Sequence, residues 1–150
     1  MTNDSTDKAL YDQGRKLYKL GRYEVAIAKF DKHLARHPDD AEAWAYRGHA
    51  LSALEMLPES LETFDRAIRI KSKLETAWHG KGVVLTKLER YKDAVQALDR
   101  ATTLERQDYR AWYNKGHAYV GMGRHKDAIA CFDKAVEIKP ENYHAWYNKG

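Results

Sequence analysis

The chain has 150 residues, enough for one compact domain or one short stack of repeated units. Hydrophobic residues make up 43% and charged residues 32%, a globular balance that excludes a largely disordered chain. The formal net charge of +4 arises from 26 basic and 22 acidic residues, its excess lies mostly in residues 109–150, and no dense basic run forms, which argues against a nucleic-acid surface.

The polar, acidic opening Met1–Asp7 is unlike a signal peptide. From residue 7 onward, apolar and small residues fall at helical spacing: Leu10, Gly14 and Leu17, then Ala26, Phe30 and Leu34. They predict helices over 7–20 and 23–36. His33 and His37 lie four apart on the second of these, but two ligands do not make a structural zinc site, and no metal is expected. Asp40 suits the N-cap of a helix over 41–54, and Pro58 suits the first turn of one over 57–70. Helices are predicted next at 75–88 and 91–104, the first behind Leu74, which cannot cap it as Asp40 does. Asp108 precedes a helix at 109–122, and another follows at 125–138. Between these two, Gly121-Met122-Gly123 reads as a turn and not a phosphate loop, because it follows a helix and not a strand. Cys131 reads as a buried structural thiol rather than a nucleophile. As the lone cysteine it excludes an intramolecular disulfide and fits a reducing compartment. Asn142 suits the cap of a last half-helix at 143–150. No apolar run approaches the roughly 18 residues of a membrane span. A soluble, cytoplasmic protein is the expectation.

The strongest signal is periodic. Glycines fall at Gly14, Gly48, Gly82, Gly116 and Gly150, and the tryptophans at Trp44, Trp78, Trp112 and Trp146, each set 34 residues apart. Ala26, Ser60, Ala94 and Ala128 keep the same interval, as do Phe30, Phe64, Leu98 and Phe132. Another column runs His33, Ala67, Ala101, Ala135, and another Pro38, Ser72, Arg106, Pro140. The pattern resembles the tetratricopeptide repeat (TPR) family, whose repeat reads Trp-x-x-Leu-Gly-x-x-Tyr, then Ala-x-x-x-Phe, then Pro. One departure recurs: the family's Leu before Gly is Gln13, Arg47, Lys81, Lys115 and Lys149 here. Long stems can cover apolar surface while their charges reach water. The resemblance implies an all-α fold, a right-handed superhelical solenoid of antiparallel helix pairs. It would be a single domain over 1–150, with repeats at about 7–40, 41–74, 75–108 and 109–142 and a partial one at 143–150. Ending inside a repeat, without the polar capping helix that solenoids normally carry, it reads as a fragment of a longer protein.

In that family the first helices of the repeats line a concave groove. Carried over by position, the resemblance implies a peptide-binding groove of Tyr11, Arg15, Tyr18, Lys19, Tyr46, His49, His79, Lys87, Arg110, Tyr113, Asn114 and His117, continued by His144, Tyr147 and Asn148. Tyr and Arg are favoured interface anchors. The chaperone-binding members grip a C-terminal carboxylate with a Lys and Asn clamp. The three triplets of repeats offer Tyr11, Arg15, Tyr46, Thr76 and Gly80; Ala45, His49, Gly80, Arg110 and Asn114; and His79, Val83, Asn114, His144 and Asn148. None reproduces the clamp, so heat-shock chaperone tails are not the expected clients. A protein or peptide partner with acidic and aromatic character is expected. His49, His79 and His117 read as solvated groove histidines. No catalytic residue, cofactor, nucleic-acid partner or membrane contact is expected. The alternative reading is a structural module that stacks head to tail through its terminal repeats into a homo-oligomer.

Overall fold

The computed structural model describes residues 4–142. The half-helix expected at 143–150, with Trp146, His144, Tyr147 and Asn148, lies outside the described residues. Eight helices follow in order: α1 (Asp4–Lys19), α2 (Tyr23–Arg36), α3 (Ala41–Ala53), α4 (Leu57–Ile70), α5 (Glu75–Lys87), α6 (Tyr91–Leu104), α7 (Tyr109–Gly121) and α8 (His125–Ile138). A 3₁₀ turn, Pro140–Asn142, succeeds them. Except for α1, which starts before the predicted residue 7, the boundaries agree with the sequence reading to within one residue. No strand occurs among the described residues. None of their helices is long and apolar enough to cross a membrane. The chain divides into two compact units, Met1–Gly80 and Lys81–Gly150.

Each hairpin turn is built the same way. After α1 the amide of Gly21 donates to the Tyr18 carbonyl (3.0 Å) and that of Arg22 to the Leu17 carbonyl (2.9 Å). This pair of hydrogen bonds closes a helix C-terminus by satisfying carbonyls left over in its last turn. It requires a left-handed residue, and Gly21 supplies φ +78° and Gly123 φ +75°. At the same place in the turns after α3 and α5 stand Glu55 and Glu89, both at φ 60°. Short turns of this kind send the next helix back antiparallel to the last.

Between repeats, the tryptophan column secures the chain. Indole Nε1 of Trp44 donates to the Pro38 carbonyl (2.8 Å), that of Trp78 to the Ser72 carbonyl (2.8 Å), and that of Trp112 to the Arg106 carbonyl (3.0 Å). The accepting group is a backbone oxygen, which every residue carries. The Pro column therefore tolerates Ser72 and Arg106. Asp40 and Asp108 cap as expected: Asp40 accepts from the Ala43 amide (3.2 Å) and Asp108 from the Arg110 amide (3.1 Å).

The core of the first unit is centred on Phe30 and Phe64, both wholly buried. A methyl group placed on Gly14 would meet the Phe30 ring at 2.6 Å, and one on Gly48 would meet the Phe64 ring at 2.8 Å. The glycine column thus marks where α1 lies close against α2 and α3 close against α4. Ser60 occupies the alanine column because its buried hydroxyl donates to the Gly48 carbonyl (2.7 Å). In the second unit Gly82 abuts Leu98 and Gly116 abuts Phe132 in the same way. Burying each large apolar side chain contributes about 2–3 kcal/mol.

Two of the cations that replace the family's Leu, Arg47 and Lys115, are held by aspartates within their own unit. Arg47 pairs through Nε with Asp31 (2.6 Å), while its guanidinium lies 5.9 Å from the Trp44 ring. Lys115 pairs with Asp99 (2.6 Å) and lies 4.9 Å from the Trp112 ring. The stems cover indole and the charges are neutralised locally. Asp31, Asp65, Asp99 and Asp133 are 34 apart, each 16 residues before one of these cations.

Candidate functional site

In the first unit, α1 and α3 bring together five of the expected groove residues. Tyr11 stands on α1 with its ring 6.1 Å from Tyr46 of α3, edge to face. Tyr46 in turn stacks on buried Phe30 (5.9 Å, 19°). Tyr18 closes the row, 5.8 Å from Tyr46 and 6.4 Å from His49. Arg15, one turn from Tyr11, lays its guanidinium 5.5 Å from the Tyr11 ring and 5.6 Å from the Tyr46 ring. Such contacts hold a cation against the negative faces of the rings. Nε of Arg15 is buried and has no hydrogen-bond partner.

The electrostatics follow from that enclosure. Burial, with the nearby charge of Glu42, pushes the Tyr11 hydroxyl up to about 12. Hydrogen bonding to Tyr46 raises the Arg15 guanidinium further above its ordinary value. The site therefore presents a permanently charged fork framed by two aromatic rings. Lys19 is exposed at the end of α1, beside a hollow of about 360 Å³ that Asp12, Arg15, Lys16 and Leu20 also line.

His49 corrects the reading of it as a solvated histidine. It is half-buried, its ring packs edge-on against Phe64 (4.8 Å), and its Nε2 is 3.2 Å from the Thr76 carbonyl. Burial, helped by the charge of His79, pushes its imidazole down to about 4. His79 lies 4.0 Å from Glu75, one turn earlier on α5. The His33–His37 pair does not present two open ligands either. His33 is buried and bonds Asp40 through Nε2 (2.8 Å), with the His37 ring 5.0 Å away.

In the second unit Tyr113 and His117 of α7 meet at 4.6 Å, nearly perpendicular, and both rings rest on Phe132 of α8 (5.6 Å each). Burial raises the Tyr113 hydroxyl. Asn114 is half-buried beside them, and Arg110 and Lys87 are exposed. Sequence reasoning passed over Tyr109. Its hydroxyl lies 3.3 Å from both Arg110 Nε and Lys139 Nζ, and those two cations lower it. The signal was a tyrosine in the column occupied by Ala41 and Glu75, followed directly by an arginine. Cys131 is buried, and burial pushes its thiol up, the opposite of an activated nucleophile.

Repeated antiparallel helix pairs with small-residue contacts and a polar–aromatic face define an α-helical repeat protein of the kind that serves as a protein-interaction scaffold. Profiles described as tetratricopeptide repeat match residues 11–75, 75–108 and 109–142. The chain belongs to the tetratricopeptide-repeat family, and its fold class is the all-α TPR solenoid. The family is generally non-enzymatic. No curated protein matches the chain. Among solved structures, MamA 41-end from Desulfovibrio magneticus RS-1 is 26% identical, with a TM-score of 0.82 over 93% of this chain and 79% of that one. A thermophilic TPR protein of Thermus thermophilus is 24% identical, with a TM-score of 0.81 over 95% and 78%. YrrB, a TPR protein with an unusual peptide-binding site, is 23% identical, with a TM-score of 0.80 over 98% and 76%.

Proposed function

We propose that the protein is a scaffold that holds an extended peptide segment of a partner against the first helices of its repeats, and that Arg15 with Tyr11 and Tyr46 receives an acidic side chain of that segment. The observation that carries this is the Arg15 guanidinium, 5.5 Å from the Tyr11 ring and 5.6 Å from the Tyr46 ring, with a buried Nε that has no acceptor. A buried donor left unmade costs about 1–3 kcal/mol, and a partner carboxylate would recover it through charge-assisted bonds. Tyr18 and Tyr46 add aromatic surface for an apolar or aromatic neighbour on the peptide. Lys19, His49 and His79 belong to the same proposal as further contacts in the first unit, and Lys87, Arg110, Tyr113, Asn114 and His117 are proposed as partner contacts of the second unit by itself. Peptide binding by the similar protein YrrB supports the class of ligand, not the residues.

The test is a titration of the isotopically labelled full chain with an acetylated, amidated peptide alternating Asp and Phe. Saturable shifts at the Arg15 side chain, Tyr11 and Tyr46 are expected, and Arg15→Gln should weaken binding about tenfold. Binding of equal strength to Arg15→Gln, or no shift at millimolar peptide, rejects the reading.

A further inference from the structure

The other face of α3 carries a second feature. In an α-helix, residues two apart point about 160° away from each other. Tyr46 and His49 therefore face one way while Trp44 and Arg47 face the other. On that other side α2, α3 and α4 enclose an open cleft of about 600 Å³. One wall is apolar: Leu34, Ala35 and Pro38. Trp44 lies within it, half-buried and fixed by its bond to the Pro38 carbonyl.

The charges are sorted along α4. Glu59 and Glu62 line its first turns, with Asp31 opposite on α2, and Arg47 between them is committed to Asp31 and Glu59 (3.4 Å to the latter). Arg66 and Arg69 follow one turn on and line the far end. Both are exposed, and neither forms an ion pair among the described residues. Arg66 could reach Glu62, four residues back and well placed for a helical pair. Its guanidinium lies instead 4.7 Å from the Trp44 ring. Two guanidinium forks beside a fixed indole and an apolar wall thus stand without an ion-pair partner, while the acidic end of the same cleft opposes a uniformly acidic ligand.

We propose that this cleft is a second docking surface, for a partner segment that presents one carboxylate next to an apolar side chain. The carboxylate lies between Arg66 and Arg69, where arginine forks bind it bidentately. The apolar side chain lies against Trp44 and Leu34. Glu59 and Glu62 select against a run of acidic residues and for a neutral or basic residue at that end. The surface is independent of the Arg15 site and does not rest on the reading given for it.

The experiment titrates the full chain, labelled for NMR, with an acetylated, amidated hexapeptide, Lys-Ala-Leu-Asp-Ala-Ala, with its Asp→Lys counterpart as control. The expected result is a saturable shift of the Trp44 indole and of the Leu34 methyls, absent with the control. Affinity should fall about tenfold in Arg66→Glu/Arg69→Glu and stay unchanged in Arg15→Gln. Both arginines are exposed, so the double variant keeps its helical circular dichroism. Shifts confined to Tyr46 and His49, equal binding by the double variant, equal binding of the control, or no shift at millimolar peptide each overturn the proposal.

Discussion

Replacing Gly48 by Ala should destabilise the protein, although alanine is the better helix former. At an open helix position that exchange gains about 1 kcal/mol. Here the added methyl group would fall 2.8–3.0 Å from three atoms of the Phe64 ring. Contacts below about 3.0 Å force something to move, and the ring has nowhere to go. Phe64 is wholly buried, Gly80 abuts it as well, and the His49 ring packs on it at 4.8 Å. Overpacking of this kind costs about 2–3 kcal/mol, so the net loss is about 1–2 kcal/mol. Phe64→Ala should cost about 3–5 kcal/mol. In that background the clash is gone, and Gly48→Ala should turn stabilising by about 0.5–1 kcal/mol. The coupling between the two sites is then about 1.5–3 kcal/mol. Urea unfolding of the four proteins, followed by far-UV circular dichroism, measures it. If Gly48→Ala stabilises the parent, or acts equally with and without Phe64, the close-contact explanation of the glycine column is wrong.

Glu55→Gly and Glu89→Gly should each stabilise by about 0.5–1 kcal/mol, because φ of 60° suits glycine and strains glutamate. Gly21→Ala should cost about 1 kcal/mol from φ alone, since nothing surrounds the added methyl group; chemical denaturation reads all three. His49 titrates near 4 in the fold and near 6.5 in the unfolded chain, so the unfolded state binds the extra proton first. Its contribution should leave stability intact above pH 6.5 and lower it by about 2–3 kcal/mol as pH falls to 4, and His49→Gln should flatten that decline in unfolding curves across the range. Trp78→Phe removes the bond to the Ser72 carbonyl and should cost about 1 kcal/mol, with faster amide exchange in residues 71–74 as its local signature.

The helices were legible because each is written several times over. A single 34-residue unit with glycine, alanine and phenylalanine in fixed columns leaves little freedom in where a helix starts or stops. What stayed hidden were relations between columns. The aspartate column Asp31, Asp65, Asp99, Asp133 is as regular as the tryptophans, yet its meaning needs Asp31 seen against Arg47. His33 looked like an odd member of a small-residue column, and only the nearby Asp40 carboxylate explains how a buried imidazole is tolerated there. His49 looked solvated because its neighbours in sequence are small. The ring that buries it, Phe64, lies on the next helix.

The same contrast separates residues that hold the fold from residues that can recognise a partner. Where a column repeats, its job is a shared structural one: the indole bond to a carbonyl in the repeats that carry Trp44, Trp78 and Trp112, the small residue under the large apolar side chain in all four. Where a column changes from repeat to repeat, no such shared job constrains it. Tyr11 becomes Ala45, His79 and Tyr113; Arg15 becomes His49, Val83 and His117; Tyr18 becomes Ser52, Thr86 and Val120. The Arg15 pocket is assembled entirely from such columns plus Tyr46, whose own column runs Asp12, Tyr46, Gly80, Asn114. Arg66 and Arg69 divide along the same line. Arg66 stands in a column that stays basic as Lys32, Arg66, Arg100 and Lys134, whereas Arg69 shares its column with Ala35, Thr103 and Glu137. A basic residue in the Arg66 column therefore recurs in every repeat, and the second guanidinium that turns it into a two-pronged anion site belongs to this repeat alone.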